Sequence, residues 1–126
     1  MPGVQILVVE DNEKNMKLFR DLLQATGYRT LEATTGGQAL TLAAEHGPAL
    51  VLMDIQLPDM DGLEALSRLR LDERTAAIPV LAVTAQAMRG DRERFMAAGF
   101  DGYLSKPVDV DELLETVRQY CKGGHA

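Results

Sequence analysis

The chain has 126 residues, 46% of them hydrophobic and 25% charged, with a net charge of −6. That length suits one domain with a core of its own, and the proportions are those of a globular protein rather than a disordered one. The acidic balance argues against non-specific nucleic-acid binding, and the single cysteine, Cys121, excludes an intrachain disulfide.

Two periodicities alternate along the chain. Val4 to Val9 is a short run of mostly branched apolar residues, as a strand buried on both faces requires. Glu13 to Thr26 predicts a helix with Met16, Phe19 and Leu23 on one stripe, Leu22 beside it and Gly27 as a stop signal. Arg29 to Ala33 is a weaker strand. Gly37 to His46 predicts a helix carrying Leu40, Ala43 and Ala44 inward, ended by Gly47-Pro48. Ala49 to Met53 is the next buried strand, and Leu63 to Asp72 the next helix, on Leu63, Leu66 and Leu69. Pro79 to Val83 is again strand-like. Met88 to Ala98 predicts a helix whose inner stripe is Met88, Arg92, Phe95 and Met96. Asp101 to Ser105 is a second weak strand. Val110 to Lys122 carries Val110, Leu113, Leu114, Val117 and Cys121 at helical spacing, with Asp109 and Glu112 placed as a capping box.

Strict strand–helix alternation implies an α/β fold: a doubly wound parallel sheet of five strands with five helices on its two faces. Right-handed crossovers favour the strand order 2-1-3-4-5. Ligands of such sheets bind beyond the carboxyl ends of the strands, at the switch point between strands 1 and 3.

The polar residues that interrupt the apolar strands all fall at that edge. Strand 1 runs into Glu10-Asp11, strand 3 into Asp54, strand 4 into Thr84-Ala85 and strand 5 into Ser105-Lys106-Pro107. Three converging carboxylates repel one another unless a cation compensates. Hard oxygen ligands in small number, with open positions left over, suit Mg²⁺. A lysine and a hydroxyl beside the metal make a pocket for a phosphoryl group on one of the acids. The plainer reading, strand-end caps and solvated loop acids, suits any one of these residues but not five at the ends of four strands.

Four segments resemble the receiver domain of two-component response regulators, in order and along essentially the whole chain. They are Ile6-Leu7-Val8-Val9-Glu10-Asp11-Asn12, Leu52 to Gly62 (LMDIQLPDMDG), Ala82-Val83-Thr84-Ala85, and Gly102-Tyr103-Leu104-Ser105-Lys106-Pro107. Asp54 follows Asp11 by 43 residues, Thr84 follows Asp54 by 30, and Lys106 follows Thr84 by 22. The stretch from Glu10 to Phe19, with Asn15-Met16-Lys17, and the run Ala87-Met88 followed by Gly90-Asp91 resemble DivK-type single-domain regulators.

The resemblance implies the flavodoxin-like fold of CheY and a role for each matching residue. Asp54 would be the phosphoacceptor, taking a phosphoryl group from the phosphohistidine of a histidine kinase or histidine phosphotransfer protein. Asp11, Asp54 and the backbone carbonyl of Gln56 would bind Mg²⁺, with Mn²⁺ as a substitute, and Glu10 would act through a water. Lys106 would contact the phosphoryl oxygens as a point charge, and Lys106-Pro107 would be a cis peptide. Thr84 and Tyr103 would form the switch pair, and Gln56 and Gln86 would tune the lifetime of the acyl phosphate. Ala85 leaves room for the phosphoryl group.

Further expectations concern the whole chain. Residues 1–126 read as one receiver domain without an output domain, with 123–126 as a flexible tail. No apolar run reaches the roughly 20 residues of a membrane span, and no signal peptide is visible, so the expected location is cytoplasmic. Output would be altered binding of a target protein at the face made by the fourth helix, fifth strand and fifth helix, with no nucleic-acid or membrane partner and a monomer or weak dimer as the working form. Two rival functions stand beside this one. One is a phosphorylation-independent scaffold. The other is a metal-dependent phosphatase of the haloacid-dehalogenase type, whose nucleophile motif Asp59-Met60-Asp61-Gly62 superficially resembles. Otherwise Asp59 and Asp61 read as solvated loop acids, His46 and His125 as exposed or tail residues, Cys121 as a packing residue, and Arg89, Asp91, Arg92, Glu93 and Arg94 as a solvated helix face.

Overall fold

The computed structural model describes residues 4–85 and 90–122. Ten elements alternate: β1 (Gln5–Val9), α1 (Glu13–Ala25), β2 (Arg29–Ala33), α2 (Gly36–His46), β3 (Leu50–Asp54), α3 (Gly62–Leu71), β4 (Val80–Thr84), α4 (Asp91–Ala98), β5 (Gly102–Ser105) and α5 (Val110–Lys122). All pairings are parallel and the strand order is β2-β1-β3-β4-β5, as the alternation predicted.

The pleat sorts the strand residues into two cores, because successive side chains point to opposite faces. Ile6, Val8, Leu50, Leu52, Leu81, Val83 and Leu104 face α1 and α5, where they meet Met16, Phe19, Leu23, Leu113, Val117 and Cys121. Leu7, Val9, Val51, Met53, Val80 and Ala82 face α2, α3 and α4, where they meet Ala39, Ala43, Ala65, Leu66, Leu69 and Phe95. β3 and β4 are buried at every position, which is why they read as continuous apolar runs. β2 is an edge strand with Arg29 and Glu32 exposed.

The helix stripes need three corrections. On α2 the fully buried residues are Gly36, Ala39 and Ala43, whereas Leu40 and Ala44 are only half-buried. Small residues let this helix approach its neighbours closely: a Cβ on Gly36 would lie 2.5 Å from Met60 Cγ. On α4 only Phe95 of the expected stripe is buried; Met96 is 40% exposed and Arg92 is exposed. α4 begins after Gly90, whose left-handed φ of 89° is not helical; the expected start at Met88 lies outside the described residues. On α5 Val110 is 42% exposed, because it belongs to the first turn, before the helix meets the sheet, while the rest of the stripe packs as predicted.

Helix caps follow ordinary chemistry. Asn12, Thr35 and Asp61 each accept a backbone N–H three residues on, at α1, α2 and α3. Asp109 does the same for Glu112 at α5. At the sheet edge far from the strand carboxyl ends, Arg70 of α3 donates to the carbonyls of Ala76, Ile78 and Gly99 and to Asp101 Oδ2 at 2.8 Å. The same carboxylate oxygen accepts Val80 N–H, and Tyr120 of α5 donates to the Asp101 carbonyl.

Candidate functional site

The register places the site. Val9 of β1 pairs with Met53 of β3, Asp54 pairs with Val83 of β4, and Thr84 pairs with Ser105 of β5. The next residues of β1 and β5, Glu10-Asp11 and Lys106, therefore leave the sheet beside Asp54 and Thr84. Glu10, Asp11 and Asp54 each bring a carboxylate oxygen to within 4.8 Å of the other two. Glu10, Asp54 and Thr84 are buried, and Asp11 is exposed, so the cluster opens to solvent on the β1 side.

Lys106 reaches into this cluster. Its ammonium lies 2.7 Å from Glu10 Oε1 and 3.1 Å from Asp54 Oδ2. Asp54 Oδ1 accepts the Gln56 N–H at 2.9 Å, and Glu10 Oε2 accepts the Asn12 N–H at 3.1 Å. Lys106 N–H donates to the Thr84 carbonyl at 2.7 Å, which ties the start of the β5–α5 loop to β4. The Lys106–Pro107 peptide is cis.

The electrostatics are those of crowded acids around one base. Burial pushes the Glu10 carboxyl up, against the lowering effect of the Lys106 and Asn12 hydrogen bonds. Burial alone would depress the Lys106 ammonium, but its bond to Glu10 and the charge of Asp54 outweigh that and raise it. One lysine does not neutralise three carboxylates. Glu10 Oε1 is buried and, the ammonium aside, has no hydrogen-bond partner among the described residues. The donor set, all hard oxygens with an open side, fits a small divalent cation such as Mg²⁺.

The remaining predicted residues are placed as follows. Gln56 is exposed and follows Asp54 by two; it pairs with Asp61 across the β3–α3 loop in an isolated antiparallel bridge. Ala85 is exposed beside Thr84. Tyr103 is half-buried and stacked on Phe95, with ring centroids 5.8 Å apart; burial and the Asp91 carboxylate push its phenol up. Gln86 and Arg89 lie outside the described residues, as do His125 and the expected tail at 123–126. Arg92, Glu93 and Arg94 are exposed as expected, and Asp91 pairs with Arg94 at 3.5 Å.

Asp59 and Asp61 correct an expectation. Both are exposed, yet neither is merely solvated. Asp61 caps α3 through Glu64 N–H. Asp59 reaches across to α2 and accepts Gly36 N–H at 2.8 Å and Gly37 N–H at 2.9 Å. Those two amides hold its carboxyl below the ordinary value. The only sequence signal for this contact is indirect: α2 has no acidic residue in its own first turn.

Sheet topology and site together define a receiver module of a two-component response regulator. Residues 6–118 match the response regulator receiver domain, and the chain belongs to that family. It is 53% identical over 115 residues to the polar-differentiation response regulator DivK of Brucella ovis, covering 91% of this chain and 94% of that protein. The DivK of Brucella anthropi is 52% identical over the same share of both chains. Among solved structures, the receiver domain of a sensor histidine kinase from Pseudomonas aeruginosa, with a magnesium ion coordinated in its active-site cleft, superposes with a TM-score of 0.88 at 36% identity, over 95% of this chain and 98% of that one. A response regulator from Chloroflexus aurantiacus superposes with a TM-score of 0.89 at 28% identity, again over 95% and 98%. No helix among the described residues is long and apolar enough to cross a membrane.

Proposed function

We propose that the chain is a phosphorylation-switched signalling module whose acceptor is Asp54. The carrying observation is the position of that carboxylate: buried at the end of β3, with Lys106 on one oxygen and the Gln56 amide on the other. A carboxylate oxygen of Asp54 attacks the phosphorus of a phosphohistidine, the P–N bond breaks, and the imidazole leaves with the electron pair. A divalent ion, when bound, supplies charge neutralisation for the transferring phosphoryl oxygens.

Asp11, Asp54 and the Gln56 carbonyl would hold Mg²⁺ (or Mn²⁺), and Glu10 would act through a water. Lys106, already inside the cluster, supplies the second positive charge. Thr84, buried at the end of the adjacent strand, hydrogen-bonds the phosphoryl group, and Tyr103 follows it inward. Gln56 and Gln86 set how water reaches the acyl phosphate. The phosphodonor is a histidine kinase or phosphotransfer protein, and the output is altered binding of a target protein at the face of α4, β5 and α5. The phosphoryl group adds roughly −1.5 to −2 of charge to an already acidic site.

The phosphatase reading finds no support. Asp59 and Asp61 are engaged as caps of two helices, and neither joins the carboxylate cluster. For the acceptor, wild type and Asp54→Asn are treated with acetyl phosphate and Mg²⁺ and weighed intact. Wild type should gain one phosphoryl group and Asp54→Asn none; equal gain by both refutes the assignment, and gain by neither favours the phosphorylation-independent scaffold.

A further inference from the structure

The β3–α3 loop is held at two levels. At its base, Ile55 N–H donates to Val83 O at 3.1 Å, Gly62 N–H donates to Ile55 O at 2.7 Å, and Gln56 bridges Asp61. This base carries the Gln56 carbonyl. Gly62 permits it, since a Cβ there would lie 2.8 Å from Ile55 Cα. Beyond the base, Leu57 and Met60 rest partly buried against the core, while Pro58 and Asp59 are exposed and have no strand beside them.

The arc is fixed by α2, a helix more than twenty residues earlier in the chain. Asp59 offers both carboxylate oxygens to successive amides, Gly36 N–H and Gly37 N–H, at the first turn of an eleven-residue helix. Charge and geometry agree, because the free amides and the positive end of the helix dipole both favour an anion there. Met60 lies directly over Gly36, close enough that no side chain could replace that glycine's hydrogen without moving it. A carboxylate–amide clasp on Gly36 and Gly37 and an apolar contact over Gly36 thus fasten Asp59 and Met60 to the first turn of α2.

We infer that Asp59 is a positioning residue for the divalent-ion site: by clasping the β3–α3 loop to the N-terminus of α2, it holds the Gln56 carbonyl where the ion needs it. The inference rests on the reading of Glu10, Asp11, Asp54 and Gln56 as an ion site. Asp59 touches none of those side chains among the contacts found, so it acts on the site only through the backbone between Gln56 and Asp59. Release of the clasp widens the range of positions open to the carbonyl and leaves the carboxylates in place.

The test is a titration of the ¹⁵N-labelled 126-residue chain with MgCl₂, followed by amide shifts around the site. Wild type, Asp59→Ala, Asp59→Asn and Thr35→Ala are compared at a temperature where circular dichroism shows each folded. Thr35→Ala removes a different cap of the same helix, the bond to Gln38 N–H, without touching the loop. Asp59→Ala should weaken Mg²⁺ binding about tenfold, the low end of the range for residues that orient metal ligands. Asp59→Asn, which keeps one acceptor oxygen, should fall between it and wild type, and Thr35→Ala should bind as wild type does. Equal affinity in Asp59→Ala and wild type overturns the inference while the ion site stands. Equal weakening in Thr35→Ala and Asp59→Ala also overturns it, because the effect then belongs to α2 and not to the clasp. Absence of Mg²⁺-dependent shifts in wild type removes the ion site itself, and the inference with it.

Discussion

Lys106 Nζ lies closer to Glu10 Oε1, at 2.7 Å, than to Asp54 Oδ2, at 3.1 Å. Among the described residues, the one ammonium paired with the cluster is therefore shared between two buried acids, and the more deeply buried one has the shorter contact. Removal of the lysine leaves both carboxylates facing each other without a cation. Lys106→Met should lower the melting temperature by roughly 5–10 °C at pH 7. The deficit should shrink as pH falls towards 4.5, because burial raises the Glu10 carboxyl and the protonated group needs no counter-charge. Thermal unfolding of both proteins at the two pH values checks this, and an equal deficit at both would contradict it.

Glu10 gives a second prediction, with the opposite sign. Its folded-state pKa lies above the ordinary value of 4.5, so the folded chain binds more protons than the unfolded chain in the window just above pH 4.5. Stability contributed by this group is therefore full below that pH and falls as pH rises through the folded-state pKa. Glu10→Gln should melt a few degrees higher than wild type at pH 7 and lose this part of the pH dependence. Melting curves in 5 mM EDTA, taken from pH 4 to pH 8, read the slope directly.

Arg70 ties α3 to the start of β4 and the end of α4 through three carbonyls and the Asp101 carboxylate. Its side chain is 28% exposed, so water replaces these bonds only in part. Arg70→Ala should lower stability by about 2 kcal/mol, after allowance for partial solvent screening of the ion pair. Arg70→Lys should recover less than half, because an ammonium lacks the fork that spans four acceptors. Urea unfolding of the three proteins gives the comparison.

Phe95 is the one fully buried residue of α4; its ring meets Phe100 edge-on at 6.0 Å and Tyr103 face-on at 5.8 Å. Phe95→Ala should cost about 3 kcal/mol through the cavity it leaves. Leu71, by contrast, is 82% exposed at the end of α3, and Leu71→Gln should change stability by less than about 0.5 kcal/mol. A urea midpoint that moves for Leu71 as much as for Phe95 would mean that Leu71 is covered in solution.

What was legible in the sequence follows from what each residue's neighbours are. β1, β3 and β4 declared themselves because both their faces are buried, and the strand-end residues of the site stood out against those runs. β2 and β5 were fainter, since an edge strand carries residues such as Arg29 and Glu32 that answer to solvent. The α2 stripe was misread because hydrophobicity alone does not show where close approach requires Gly36 and Ala39 instead of a leucine. The α4 stripe was misread because eight residues anchored on Phe95 have no periodicity to detect. Asp59 with Gly36, and Arg70 with Asp101, were invisible for a different reason: each pair is joined only by the tertiary fold, across 23 and 31 residues.

The division of the interior into two cores has its own consequence. The sheet acts as a bulkhead between two separate packing problems. A change at Leu113 or Val117 on α5 is felt by Phe19 and Leu23 on α1, while Leu69 and Phe95 lie behind the strands. Substitutions on opposite sides should therefore add in free energy, and substitutions on one side should not. Over generations either face can be repacked to suit a new neighbour without compensation from the other. The strand-end residues Glu10, Asp54, Thr84 and Lys106 belong to neither compartment and answer to both.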